Sequence, residues 1–150
     1  MIALDDETAT AALAARVAAA ARAGDLIALE GDLGAGKTTF ARAVLAARAG
    51  TPIEAPSPTF TLVQIYDLPG GRVVHADLYR LSGAGEIAEL GLEEDMSTAI
   101  VLVEWPDRLG TRLPPDRLVV RLEFAGSPEA RRARLVGHGT WAARLSEILP

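Results

Sequence analysis

The chain's single lysine, Lys37, closes a run of glycines that reads Gly31-Asp32-Leu33-Gly34-Ala35-Gly36-Lys37-Thr38. The run fits the pattern Gly, four residues, Gly-Lys-Ser/Thr, whose chemistry is the grip on a polyphosphate. Glycines are needed because the backbone must curl tightly with its N–H groups turned toward phosphate oxygens. The helix that follows adds its positive N-terminal end at the same place. A compact ammonium on a flexible stem slides between two phosphates where a planar guanidinium does not fit. The other fourteen basic residues are all arginine, so Lys37 is singled out by composition as well as by motif. Asp32, Leu33, Gly34, Ala35, Gly36, Lys37, Thr38 and Thr39 are therefore read as the cradle for Mg²⁺-ATP, with the Thr38 hydroxyl on the metal.

Such a loop needs a carboxylate for Mg²⁺, usually at the end of a neighbouring apolar strand. Glu104 ends Ile100-Val101-Leu102-Val103 and is the better candidate; Asp77 ends Val73-Val74-His75-Ala76 and is the second. Each has a plainer reading as a solvated strand end, and Asp77 also as a cap on the Tyr79 or Arg80 backbone. Asp67-Leu68-Pro69-Gly70 imitates the Asp-x-x-Gly of GTPases, but Pro69-Gly70-Gly71 reads as a hairpin tip. A guanine-reading Asn-Lys-x-Asp segment is impossible with one lysine already spent. Thr59, in Ser57-Pro58-Thr59-Phe60, stands where a threonine can sense a γ-phosphate, and reads equally as an ordinary β-former. His75 and His138 are the only histidines and lie far apart in sequence; neither is assigned a metal or triad role. Arg42 and Arg80 are candidates to approach the γ-phosphate, against the commoner fate of surface arginine.

These groups must be held by a scaffold. Asp25–Glu30 is short and apolar, as a strand buried on both faces should be, and Thr39–Ala49 returns to helical composition before Gly50. The loop thus sits between strand and helix. Thr8–Ala23 predicts an Ala-rich amphipathic helix with Leu13 and Val17 inward, capped by Thr8 or Thr10 and stopped by Gly24. Residues 59–66 and 72–76 predict one hairpin, and 118–124 with 131–136 a second around Gly126-Ser127-Pro128. Short helices are expected over Glu86–Leu90 and Glu93–Ser97, a strand over Ala99–Val103, and a final helix over Thr140–Leu149 capped by Thr140.

Composition narrows the function classes. At 150 residues and 49% hydrophobic, the chain is one domain's length with enough apolar matter for a core. Net charge is −5 and aromatic residues make up 5%, with no basic stripe apparent, which argues against a nucleic-acid interface of its own. No cysteine is present, so disulfides and Cys-based metal sites are excluded. The acidic start Asp5-Asp6-Glu7 is unlike a signal peptide, and no run suits a membrane span; a cytoplasmic protein without membrane association is expected.

Four motifs in order carry a resemblance: Gly31–Phe40, then Ser57–Val63, then His75-Ala76-Asp77-Leu78-Tyr79-Arg80-Leu81, then Leu102-Val103-Glu104-Trp105-Pro106. Together they resemble the TsaE family, bacterial P-loop ATPases required for threonylcarbamoyladenosine (t6A) modification of tRNA at position 37, and Glu86–Gly91 resembles that family's acidic-Leu-Gly segment. The resemblance implies that Thr38 and Glu104 ligate Mg²⁺, that Asp77 supports hydrolysis and that Thr59 is switch-like. It suggests that the acidic segment near Glu7 approaches the adenine. It implies TsaB and TsaD as partners, with tRNA met only indirectly, and ATP hydrolysis that is weak alone and drives the cycle of the TsaB–TsaD complex. Ala76, where the family often carries a larger apolar residue, is one departure.

Two other classes use the same loop. A small-molecule kinase needs an Arg-rich lid, and the charged residues within 83–97 are all acidic instead. A nucleotide-sensing adaptor would bind ATP without useful turnover. The expected architecture is a three-layer α/β P-loop NTPase domain over residues 1–150, its central sheet mostly parallel with antiparallel hairpin additions.

Overall fold

The computed structural model describes residues 1–51, 63–81, 85–86 and 90–149. One seven-stranded sheet runs through it: β1 (Ile2–Leu4), β2 (Leu26–Glu30), β3 (Val63–Leu68), β4 (Gly71–Asp77), β5 (Ile100–Glu104), β6 (Arg117–Phe124) and β7 (Arg131–His138). Their spatial order is β1-β7-β6-β2-β5-β4-β3. The inner strands β6, β2, β5 and β4 are parallel. Antiparallel pairs flank them, β6–β7–β1 on one side and β4–β3 on the other. The expected mostly parallel centre with hairpin additions is the architecture found.

Three layers follow from burial. Ile27 and Leu29 of β2 face α1 (Glu7–Ala20), α2 (Lys37–Ala49) and Trp141, whereas Leu26 and Ala28 face a second cluster containing Leu92 and Leu109. Those two residues belong to α3 (Leu92–Thr98) and to a 3-10 segment over Pro106–Arg112. A strand with apolar matter on both sides can only be central. That is why β2 carries the loop from the middle of the molecule.

α1 buries Leu13, Ala14, Val17 and Ala18 and leaves Arg16 outside, as its spacing predicts. Its limits differ from expectation. Asp6, not Thr8 or Thr10, is the cap and accepts from the Ala9 N–H at 2.9 Å, and the helix stops at Ala20 with Ala21 already extended. An aspartate one turn earlier wins because its carboxylate takes the free amide with a full charge. α2 ends as expected at Gly50, which is left-handed. The expected final helix is shorter than predicted. α4 covers Trp141–Arg144, a 3-10 turn covers Leu145–Glu147, and Thr140 makes no side-chain cap. Packing of Trp141 against β7, where a Cβ on Gly137 would lie 2.5 Å from the Trp141 carbonyl oxygen, fixes this segment more than its composition does.

Arg144 crosses back to the sheet's entrance. Its guanidinium meets Asp25 at 2.6 and 3.0 Å, donates to the Ala20 carbonyl and lies over the Trp141 ring at 3.8 Å. Asp25 also accepts from the Arg22 N–H. The hairpin reading of Asp67-Leu68-Pro69-Gly70 holds: Asp67 pairs with Arg72 across the β3–β4 turn, far from any GTPase-like role. Residues 59–62 of the first expected hairpin, and most of the helix expected over Glu86–Leu90, lie outside the described residues. Among the described residues no helix is long and apolar enough to cross a membrane.

Candidate nucleotide site

The loop leaves β2 at Gly31, whose φ is +146°, and an added Cβ there would lie 2.5 Å from the Leu122 carbonyl oxygen of β6. Only glycine fits. Five residues on, Gly36 adopts the left-handed conformation that starts α2. Between them the Ala35 N–H closes a turn onto the Asp32 carbonyl at 3.0 Å, with Ala35 wholly buried and Leu33 exposed at the tip.

Two cations hold the loop's carbonyl oxygens. Lys37 Nζ donates to Gly31 at 2.5 Å and Asp32 at 3.0 Å. Arg131, from β7, donates to Ala35 at 3.1 Å and Gly34 at 3.2 Å, and stacks on Phe124 at 4.8 Å. Lys37 is only 5% exposed and lies 4.3 Å above the Trp105 ring. Burial lowers its pKa from 10.5, opposed by the charges of Glu104, Asp77 and Asp32. Trp105 reaches this place because its backbone is left-handed, with φ at 61°. A bulky residue in that region is uncommon and sits there only when its surroundings hold it. Here Lys37 and Tyr79, whose ring centre is 4.9 Å away, hold it.

At the start of α2, Thr38 Oγ1 donates to the Glu104 carboxylate, 2.9 Å from Oε1 and 3.0 Å from Oε2. Glu104 is 3% exposed. Asp77 is its register partner across β4–β5, so the two strand-end carboxylates emerge side by side. Burial raises the pKa of Asp77 from 3.8, the adjacent Glu104 adds to this, and the Tyr79 N–H bond opposes it. The capping role considered for Asp77 is thus present alongside its place near the loop. Thr38 and Glu104 make a hard oxygen set suited to Mg²⁺, which takes one or two protein oxygens and completes its shell with water and phosphate. Among the described residues no cluster of three His, Cys, Asp or Glu side chains could hold a metal unaided.

Beside the loop lies a cavity of about 440 Å³. Asp6 and Glu7 at the start of α1, Thr10, Gly36, Thr39, Glu129 and Arg131 line it. Glu7 is therefore brought next to the loop, as is Thr39. Thr59 lies outside the described residues. Arg42 and Arg80 are exposed on the surface.

Two residues were missed in the sequence. Arg131 gave no signal beyond being one arginine among fourteen, and it meets the loop across 96 positions. His75, passed over for want of a second histidine, is fully buried with Nε2 2.7 Å from Glu104 Oε2. Its place two residues before Asp77 on one strand was the available clue, since alternation puts both on one face.

A buried strand, a glycine loop, a helix and a carboxylate ending the adjacent parallel strand define a P-loop NTPase fold. The chain matches the sequence model of the family described as Threonylcarbamoyl adenosine biosynthesis protein TsaE over residues 4–133. It is 38% identical over 144 residues to the tRNA threonylcarbamoyladenosine biosynthesis protein TsaE of Streptomyces coelicolor, covering 91% of this chain and 97% of that one. The protein of the same name from Bacillus subtilis is 40% identical over 121 residues, covering 80% and 75%. That of Rickettsia felis is 39% identical over 123 residues, covering 82% and 72%. The crystal structure of Bacillus subtilis YdiB superposes with a TM-score of 0.77 at 31% identity, covering 97% of this chain and 89% of that one. The chain belongs to the TsaE family.

Proposed function

We propose that this chain binds Mg²⁺-ATP on Gly31–Thr38 and hydrolyses it to drive a TsaB–TsaD complex in t6A modification of tRNA at position 37. The observation that carries this reading is the joining of Thr38 to Glu104 beside Lys37, which puts a hydroxyl, a carboxylate and an ammonium around one loop. Membership of a tRNA threonylcarbamoyladenosine family supports the pathway.

In the proposed cycle Lys37 exchanges its two loop carbonyls for phosphate oxygens, a swap its flexible stem permits. Thr38 and Glu104 would hold Mg²⁺, which would supply neutralisation of the charge on the phosphates. Asp77, half-buried and next to Glu104, orients the attacking water and takes up its proton. Thr59 is assigned the sensing of the γ-phosphate. Arg131 keeps Gly34 and Ala35 in place, so the loop pays little reorganisation on binding. The cavity lined by Glu7, Thr10 and Thr39 takes the nucleoside, with a carboxylate available to the adenine amine.

In this proposal the protein works in the cytoplasm, and its acidity suits a factor that acts on its protein partners and meets tRNA only through them. The deciding experiment is Mg²⁺-dependent phosphate release from ATP by the purified chain, alone and with TsaB and TsaD. Strong stimulation is expected, abolished in Glu104→Ala while some nucleotide binding survives. Equal turnover in wild type and Glu104→Ala would end the assignment of Glu104. Tight ATP binding without stimulation would favour the adaptor, and a phosphorylated acceptor the kinase.

A further inference from the structure

We propose that His75 is a positioning residue for the candidate cation site: its Nε2–H holds one oxygen of Glu104 so that the carboxylate stays turned to Thr38. The proposal rests on the nucleotide-site reading above and extends it to a residue that touches neither phosphate nor cation. β4 and β5 are in parallel register, His75 opposite Leu102 and Asp77 opposite Glu104. Strand alternation therefore sends His75, Asp77 and Glu104 to the α2 side of the sheet, with His75 one layer deeper.

The contact is short, 2.7 Å, and both partners are withdrawn from water, His75 at 0% exposure and Glu104 at 3%. A carboxylate serving as a cation ligand only accepts, so in the proposed site Nε2 is the donor. His75 Nδ1 has no partner among the described residues and is sealed from solvent. A bare lone pair is a smaller burden there than an unpaired N–H, which favours the hydrogen on Nε2, toward Glu104. The other buried residues of β4, Val73, Val74 and Ala76, are apolar. A leucine or phenylalanine at 75 would fill the space without stranding a nitrogen. The imidazole stands there at a cost in polar satisfaction, and its side-chain hydrogen bond among the described residues is the one to Glu104.

Thr38 alone would leave that carboxylate free to rotate, since its hydroxyl straddles both oxygens. His75 bonds only Oε2 and so distinguishes them, leaving Oε1 the freer one for a cation. Partners of this kind behind a metal ligand change metal affinity about 10–100-fold when removed.

The test compares full-length wild type, His75→Leu and His75→Gln. Glutamine places an amide N–H near the Nε2 position; leucine supplies packing only. Mn²⁺ binding to the ADP complex is read from the free-ion EPR signal, and ADP affinity in EDTA reports the loop by itself. His75→Leu is expected to weaken Mn²⁺ about 10–100-fold with ADP affinity in EDTA nearly unchanged, and His75→Gln to recover most of the loss. Unchanged Mn²⁺ affinity in His75→Leu overturns the proposal, as does a folded His75→Gln that restores nothing. Should His75→Leu fail to fold, imidazole ¹⁵N shifts of the wild type decide: Nε2–H with bare Nδ1 supports the proposal, and an Nδ1–H tautomer overturns it. Mn²⁺·ADP binding that follows this pattern without ATP hydrolysis would overturn the proposed activity and leave His75's role intact. Absence of any Mn²⁺ binding by the wild-type ADP complex would overturn both.

Discussion

Thr38 Oγ1 lies 2.9 Å from Oε1 and 3.0 Å from Oε2 of Glu104, joining the first turn of α2 to the end of β5 through one hydroxyl shared by two oxygens. The two residues are separated by 66 positions, and each has one role in the proposed cation site. Thr38→Val keeps the shape and removes the hydroxyl. It is expected to leave ADP binding in EDTA within about threefold of wild type and to remove most of the gain that Mg²⁺ gives, on the order of tenfold or more. Titration of a fluorescent ADP with and without Mg²⁺ measures both. Thr38→Ser should behave as wild type.

Lys37 is already satisfied by Gly31 and Asp32 and covered by Trp105. Lys37→Ala loses the charge that meets the phosphates and the bonds that shape the loop. Nucleotide affinity should fall at least ~100-fold. Lys37→Arg should not rescue it, because the guanidinium is too broad for a pocket roofed by an indole. Calorimetric titration with ADP separates these outcomes.

Asp77 carries a pKa raised above 3.8, with burial the largest cause. The folded state therefore holds its proton more tightly than the unfolded state. Stability from this group falls as pH rises from 3.8 through the folded-state pKa, and the cost is fully present above that value. Asp77→Asn keeps an oxygen for the Tyr79 N–H and drops the charge. The variant should melt higher than wild type at neutral pH, lose that advantage near pH 3.8, and hydrolyse ATP far more slowly. A lower melting temperature at neutral pH would contradict the sign.

Gly31→Ala forces a Cβ to within 2.5 Å of the Leu122 carbonyl oxygen at a φ of +146°. Neither the β6 backbone nor the conformation gives way cheaply. A loss of about 2 kcal/mol or more is expected in urea unfolding. Gly50→Ala, where an added Cβ meets nothing within 4 Å, should cost less.

Asp25 and Arg144 form a buried pair 119 residues apart. Removing either alone strands a charge and should cost about 3–5 kcal/mol. Asp25→Ala with Arg144→Met should cost much less than the sum of the singles, since no charge remains and methionine still covers Trp141. A double-mutant cycle by chemical denaturation gives the coupling directly.

What was legible in the sequence was local. The run from β2 through the loop to α2 is written in contiguous residues, and both hairpins in alternation around Pro-Gly and Gly-Ser-Pro. Glu104 and Asp77 were legible because a charge ending an apolar strand is conspicuous. β1 escaped because three residues at a sheet edge carry no period. Arg131 escaped because its target, the carbonyls of Gly34 and Ala35, is made by a loop far away in sequence. His75 escaped because its partner is a carboxylate on another strand, and a lone histidine among apolar neighbours reads as core. The caps at Asp6 and Thr140 turned on which of several polar residues the packed ends leave in reach.

The order of strands in space has a consequence for how the protein is made. The loop precedes in sequence nearly everything that shapes it: β2 pairs with residues 101–104 and 117–121, and Leu122, Arg131 and Arg144 brace its two ends. A nascent chain that has reached residue 100 carries a complete glycine loop with no Glu104 before Thr38 and no β6 behind Gly31. The loop's shape is therefore set only once residues 101–144 have closed the sheet around it. Partial chains are thus expected to lack the loop geometry on which the proposed nucleotide site depends.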